Sequence, residues 1–249
     1  MALDQAIAEL YPQVHKSTIR FYSWSPACVS IGLGQRLERD VDVQACAEQG
    51  VDVVRRPTGG RAILHDQEVT YAVVTALDHP LIKRSNVVES YRAISSALCA
   101  GLRQLGLDPE LAPQPEPSRT KSAACFDLPG DYEITVGGRK LVGSAQARQR
   151  EVLLQHGTLL LHADVALLAR LLRLPAALTS DQLAQRLVAL DEVLGYQPTF
   201  EAVVEALVQG FEQTWGITLV AEGITPAEQE RAADLIHDKY THADWTRRR

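Results

Sequence analysis

Cysteine is scarce in this sequence: four residues in 249, at positions 28, 46, 99 and 125, none of them in a C-x-x-C pair. That spacing excludes a zinc knuckle and a small disulfide scaffold, and predicts free thiols in a reducing, cytoplasmic setting. Long apolar runs are also missing. No stretch of 18 apolar residues occurs, so no membrane-spanning helix is expected. The opening M-A-L-D-Q-A-I-A-E-L has neither a basic n-region nor a long apolar h-region, and is not read as a secretory signal. Positive charge is in deficit. The 25 Lys and Arg against 31 Asp and Glu give a net charge of −6, opposite to that of a general nucleic-acid binder. Internal repeats and low-complexity tracts are absent. What remains is 46% hydrophobic and 22% charged, ample to build a core over most of the chain.

The hydrophobic pattern divides the chain into a sheet-rich body, about 1–163, and a helical segment, about 164–249, whose apolar stripes require packing on that body. The first ten residues read as a helix. T-I-R-F-Y-S-W and A-C-V-S-I-G read as strands joined at Pro26, and V-D-V-V-R as a third. After the turn Pro57-Thr58-Gly59-Gly60, two more strands follow, the second with a two-residue period through Val69, Tyr71 and Val73. Residues 86–105 switch to a helical period, with Val87, Tyr91, Ile94, Leu98, Leu102 and Leu105 on one face and Gly106 at the end. Residues 109–124 carry four prolines and read as a loop. Gly137-Gly138 marks a hairpin turn, and residues 152–161 a further strand. Phe200, Val203, Val204, Leu207 and Phe211 stripe another helix, and Thr225, Pro226 and Glu228 start the last with a capping box.

Three segments carry candidate chemistry. Arg55-Arg56-Pro57-Thr58-Gly59-Gly60-Arg61, followed by His65-Asp66, places backbone N–H groups and guanidinium forks around a turn. Its bland alternative is a surface hairpin with solvated arginines. Cys125 sits in S-A-A-C-F-D-L-P-G after the proline-rich loop, the one cysteine in a loop setting. Cys28, Cys46 and Cys99 read as small buried hydrophobes, the commoner fate of a free thiol. Gly138-Arg139-Lys140-Leu141-Val142-Gly143-Ser144-Ala145-Gln146 is an apolar strand opened by a lysine and closed by small residues. A fourth element is Gln155-His156-Gly157, where a histidine is more often structural than catalytic.

Taken together, R-R-P-T-G-G-R-A-I-L-H-D, G-R-K-L-V-G-S-A-Q and L-L-Q-H-G-T-L-L-L resemble the signature of the biotin/lipoate protein ligase catalytic-domain family, in order and in spacing. F-Y-S-W-S-P-A-C-V-S-I-G and the closing K-Y-T-H-A-D-W resemble it too, so the likeness spans nearly the whole chain. It implies an α/β (α+β) fold with a mixed central sheet flanked by helices, residues 1–249 forming a single catalytic domain. One departure is the start at M-A-L-D without a preceding strand, which implies a shorter sheet edge or a late-assigned start.

Within that family C-F-D-x-P resembles the cysteine-dependent octanoyltransferases of the LipM type. The resemblance implies transfer of an octanoyl group from octanoyl-acyl carrier protein to a lysine of a lipoyl domain. Acceptors are the glycine cleavage H protein or a 2-oxoacid dehydrogenase E2. It makes Cys125 the nucleophile and sets Lys140 beside the acyl carbonyl. Arg56, Gly59, Gly60, His65, Gly143, Ser144, Ala145 and His156 then line the acyl pocket. No cofactor and no metal is implied, because one thioester replaces another and a lysine amine attacks a thioester readily. The alternatives are an ATP-dependent lipoate or biotin ligase, for which ATP and magnesium are needed, and an octanoyl amidotransferase between lipoyl domains. A non-catalytic lipoyl-domain binder and a Cys125/His156 hydrolase rank lower. Because carrier and lipoyl domains are commonly acidic, a basic docking face is expected from Arg55, Arg56, Arg61, Arg139, Arg148 and Arg150.

Overall fold

The computed structural model describes residues 1–82, 86–112, 133–175 and 178–248. In chain order the first elements are α1 (Ala2–Val14), β1 (Thr18–Tyr22), β2 (Cys28–Ile31), α2 (Leu37–Asp40), α3 (Val43–Glu48), β3 (Asp52–Arg55), β4 (Ile63–His65) and β5 (Glu68–Ala76). Then come α4 (Val87–Gln104), β6 (Glu110–Leu111), β7 (Ile134–Val136), β8 (Arg139–Gln149) and β9 (Val152–Leu160). The helical segment holds α5 (Val165–Leu171), α6 (Ser180–Ala184), α7 (Leu190–Leu194), α8 (Phe200–Trp215), α9 (Pro226–Leu235), a π-helical turn (Ile236–Tyr240) and α10 (Ala243–Arg247).

The strands form a six-stranded sheet, in the order β1-β5-β9-β8-β7-β6, and a three-stranded sheet, β3-β2-β4. All pairings in the large sheet are antiparallel. The mixed character expected from the family belongs to the small sheet, where β2 runs parallel to β3 and antiparallel to β4. The sequence reading joined the first two strands at Pro26, yet they enter different sheets. Every residue of β2 is buried, which suits the centre of a sheet covered on both faces, whereas β1 is half-buried throughout and takes an edge.

One face of the large sheet packs on α4 and α8, with Tyr71, Val73, Val142 and Leu159 meeting Ile94, Leu98, Leu102, Leu207 and Phe211. Each such buried side chain stabilises the fold by about 1.5–3 kcal/mol. The other face packs Ala72, Val74 and Leu154 on Ile7 and Tyr11 of α1. The small sheet adds a second core with Leu168, Leu171, Leu183 and Leu187 from the helical segment. Asn86 and Glu89 form a capping box at the start of α4, and Thr225 and Glu228 form the one expected at α9 with Pro226 behind it. Gly137 and Gly138 have φ of 56° and 74°, as a two-residue hairpin turn between β7 and β8 requires.

Helices α4 and α8 touch backbone to backbone. A Cβ at Gly101 would lie 2.7 Å from both the Ala206 carbonyl oxygen and the Leu207 Cα, and one at Gly210 would overlap the Gly101 backbone. Overpacking of this kind costs about 1–3 kcal/mol, and both surfaces here are rigid. Gly210→Ala is therefore expected to lower Tm by about 4–10 °C in a chain of this size. A melt unchanged from the wild type would show that the two helices can part at no cost.

Candidate active site

The turn from β3 to β4 is built from the inside. Arg55 and Arg56 are 0% and 1% exposed. An interior guanidinium is tolerable only when its donors are satisfied, and here they go to backbone oxygens. Arg56 donates from Nη1 to the Ser30 carbonyl at 3.0 Å, from Nη2 to the carbonyls of Gly59 and Arg61 at 2.8 and 2.7 Å, and from Nε to Gly59 at 3.1 Å. Arg55 donates from Nη1 to the carbonyls of Gly32, Leu33 and Gln35 at 2.9, 3.1 and 2.8 Å. The expected basic docking face is thereby corrected. Two of its six arginines are interior struts, Arg139 pairs with Glu192 at 2.7 Å, and Arg148 turns to Gln146, Ser90 and the Asn86 carbonyl.

Beside this turn lies a narrow pocket walled by β1, β2, β4, β5, β8 and β9. Ser30, Arg56, His65, Ala145, His156 and Thr158 contribute to it, and its surface is almost wholly apolar. The reason is that both ring nitrogens of His65 and Nε2 of His156 are turned away to hydrogen-bond partners, while His156 Nδ1 is buried without one. His65 shares a 2.7 Å hydrogen bond between Nε2 and the Ser30 hydroxyl, and Nδ1 donates to Glu68 Oε1 at 2.7 Å. Trp24 stacks on its ring, centroids 4.3 Å apart. His156 meets the Thr58 hydroxyl at 2.6 Å through Nε2, and its Nδ1 lies 3.8 Å from Asp4 Oδ2. Each histidine thus stands between a hydroxyl and a carboxylate.

The electrostatics follow from burial. Desolvation lowers the His156 pKa despite the pull of Asp4, so the ring is neutral at pH 7. An Nδ1–H directed at Asp4 leaves Nε2 to accept the Thr58 proton. Burial alone would raise the Asp4 carboxyl, but His156, the amino terminus and Arg20 outweigh it and hold it well below the usual carboxylate range. Tyr22 donates to the same carboxylate at 2.6 Å. Cys28, Cys46 and Cys99 are buried, and burial pushes their thiols up to about 12, 11 and 11. They are poor nucleophiles at neutral pH. Among the described residues no helix is long and apolar enough to cross a membrane, and no group of three His, Cys, Asp or Glu could hold a metal.

The family model of the lipoyl protein ligase A/B catalytic domain matches residues 1–212. The chain belongs to this family. It is 43% identical over 260 residues to the octanoyltransferase LipM of Moorella thermoacetica, covering 100% of this chain and 93% of that one. To the octanoyltransferase LipM of Kyrpidia tusciae it is 43% identical over 259 residues, covering 100% and 94%. Among solved structures, lipoate-protein ligase A bound with ATP matches with a TM-score of 0.85 at 27% identity, over 99% of this chain and 92% of that one. A chain from the Thermoplasma acidophilum lipoylation system, a bipartite lipoate protein ligase and its E2 lipoyl domain, matches with a TM-score of 0.81 at 26% identity over 99% and 89%.

Of the residues expected from the family motifs, Arg56, His65, Ala145 and His156 meet at the cavity. Gly60 adjoins them, whereas Gly59 meets no neighbour that a side chain would touch. Gly143 and Ser144 pair with Thr158 and Gly157 across β8 and β9, and the Ser144 hydroxyl bonds Tyr71 at 2.6 Å. Lys140 stands further up β8, 1% exposed, with Nζ donating to Glu133 at 2.5 Å. Cys125 lies outside the described residues. Sequence reasoning missed Asp4, Ser30, Thr58 and Glu68. For the two acids the available signal was an acidic residue in the first turn of α1 and another opening the apolar strand E-V-T-Y-A-V-V.

The two glycines of the turn are not equivalent, although the motif alone treats them alike. Gly60 has φ of 88°, and a Cβ there would lie 2.7 Å from Arg56 Nη2. Gly59 has open space around it and no left-handed φ. Gly60→Ala is expected to cost about 1–2 kcal/mol in backbone strain and to displace Arg56, with a clear loss of acyl-transfer rate. Gly59→Ala is expected to leave both nearly unchanged. Parallel melts and transfer assays check this, and equal effects at the two positions would contradict the geometry.

Proposed function

We propose that this chain takes an octanoyl group from acyl carrier protein onto Cys125 as a thioester and passes it to a lysine of a lipoyl domain. The protein is an octanoyltransferase, as its relatives are named at about 40% identity over the whole of this chain. That full-length identity is the observation that carries the reading. The apolar cavity between Arg56, His65, Ala145 and His156 supports it, being lined for an acyl tail. Burying the seven tail carbons of an octanoyl group in an apolar site would contribute on the order of 5 kcal/mol, at about 0.8 kcal/mol per carbon. The raised thiols of Cys28, Cys46 and Cys99 make them poor nucleophiles, which supports Cys125 in that role.

In the first step the Cys125 thiolate attacks the thioester carbonyl. The new C–S bond forms as the carrier's C–S bond breaks, and the departing thiol leaves with the proton. In the second, a lipoyl-domain lysine amine attacks the acyl-Cys125 carbonyl, forming an amide and returning Cys125 to the thiol. Lys140, the cation that the family motif assigns to that carbonyl, stabilises the oxyanion that develops in both steps. Arg56, Gly60, His65, Gly143, Ser144, Ala145 and His156 form the acyl site, and residues 1–249 act as one catalytic unit. The setting is cytoplasmic, where Cys125 stays reduced. The acceptor is the glycine cleavage H protein or a dehydrogenase E2 domain. Neither step requires a nucleotide, since each uses the energy of a thioester.

A second reading, an ATP-dependent lipoate ligase, is favoured by the likeness to lipoate-protein ligase A bound with ATP. Intact-mass spectrometry with octanoyl carrier protein separates the two. The wild type is expected to gain one octanoyl group without ATP. Cys125→Ala is expected to gain none and to lose about 10³-fold or more in transfer, as removal of a nucleophile does. Transfer by Cys125→Ala at the wild-type rate, or product only with ATP, would overturn the thioester route.

A further inference from the structure

The family match ends at residue 212, yet residues well beyond it reach the framework of the acyl site. On one side, Lys239 Nζ and Tyr240 Oη both donate to Gln5 Oε1 on α1, at 2.7 and 2.6 Å. The residue before it, Asp4, is the carboxylate facing His156. On the other side, Trp245 Nε1 donates to the Arg55 carbonyl at 2.9 Å. Arg55 answers from Nε to the Trp245 carbonyl at 3.1 Å and from Nη2 to the Thr246 carbonyl at 2.8 Å. The segment is drawn tight upon itself, since Lys239 Nζ lies 3.8 Å over the Trp245 ring. The π-helical turn Ile236–Tyr240 supplies the bend, a device common where a helix is shaped for a function.

We propose that residues 239–246 are a strap that sets the spacing of the acyl pocket's walls, with Trp245 as its positioning residue. The path from strap to pocket is continuous. Arg55 holds the Gly32 and Gln35 carbonyls, and Gly32 packs so closely on Gly60 that a Cβ would overlap the Gly60 carbonyl. The Thr58 carbonyl accepts from the Leu33 amide at 2.8 Å, and the Thr58 hydroxyl holds His156. The strap therefore grips α1 behind Asp4 and, through Arg55, the turn behind Thr58 and Gly60. Trp245 is not part of the cavity's lining. Its loss changes wall spacing and leaves the identity of every lining residue unaltered.

This inference rests on the acyl-pocket reading above, and chain length is its readout. A tail that fills the pocket senses wall spacing, whereas a short one does not. Trp245→Ala, and Trp245→Phe, which keeps a ring but removes Nε1, are compared with the wild type. The assay is transfer from octanoyl and from butanoyl carrier protein to a lipoyl domain, beside a thermal melt. Trp245→Ala is expected to lose about tenfold more rate with octanoyl than with butanoyl, the effect of one or two methylene contacts. Trp245→Phe is expected to show the same bias to a smaller degree, and it decides the matter alone if Trp245→Ala does not fold. Equal loss with both donors, or no loss, overturns the strap and makes the segment a mere stabiliser. A wild type that transfers neither group overturns the octanoyl reading, and the strap's role with it.

Discussion

Two guanidinium groups buried beneath the β3–β4 turn organise the rest of this molecule. Removing a charge from water is expensive, so a buried arginine persists only where its whole fork is used. Arg55 and Arg56 use theirs largely on loop carbonyls: Gly32, Leu33 and Gln35 for one, Gly59 and Arg61 for the other, with Ser30 of β2 added. Irregular backbone inside a protein must have its polar groups satisfied, and side-chain donors do it here. Lysine cannot substitute, because a single ammonium cannot span three carbonyls in a plane. The arginines shape the turn, and the turn shapes the pocket.

The same logic governs the two carboxylates behind the pocket. Asp4 and Glu68 are 0% and 2% exposed, and each orients a histidine from the side away from the cavity. Tyr22, Arg20 and His156 surround Asp4, while His65, Thr70 and Thr158 surround Glu68. Most of these polar atoms pair behind the wall, His156 Nδ1 and Glu68 Oε2 being the buried exceptions, and the wall itself is left largely apolar. A pocket can thus be lined by arginine, histidine, serine and threonine and still receive a hydrocarbon tail.

Much of this was legible in the sequence, and what was not has a physical reason. The long amphipathic helices α4 and α8, the capping box of α9 and the Gly137-Gly138 hairpin are local devices, written in adjacent residues. The motif order also brought Arg56, His65, Ala145 and His156 to one cavity. Charge misled where it usually informs. The expected docking face put Arg55 and Arg56 at the surface, where most arginines lie, and the carbonyls that make their burial tolerable come largely from other segments. Asp4 and Glu68 were passed over for the same reason. Local periodicity cannot say that β1 and β2 separate into two sheets, nor that Trp245 returns to Arg55 across 190 positions. Cys125 stands on its motif, since it lies outside the described residues.

Backbone amide exchange tests the claim that Arg56 holds the pocket wall. The amide of Leu33 donates to the Thr58 carbonyl and that of Arg56 to the Ile31 carbonyl, at 2.8 and 2.9 Å, so both report on the turn. In Arg56→Lys these amides should exchange about ten- to hundredfold faster, the effect of one or two lost buried hydrogen bonds. The amides of β9, in the middle of the large sheet, should keep their wild-type rates. Unchanged protection at Leu33 and Arg56, with the variant folded, would contradict the account, because the turn would then keep its shape without the guanidinium.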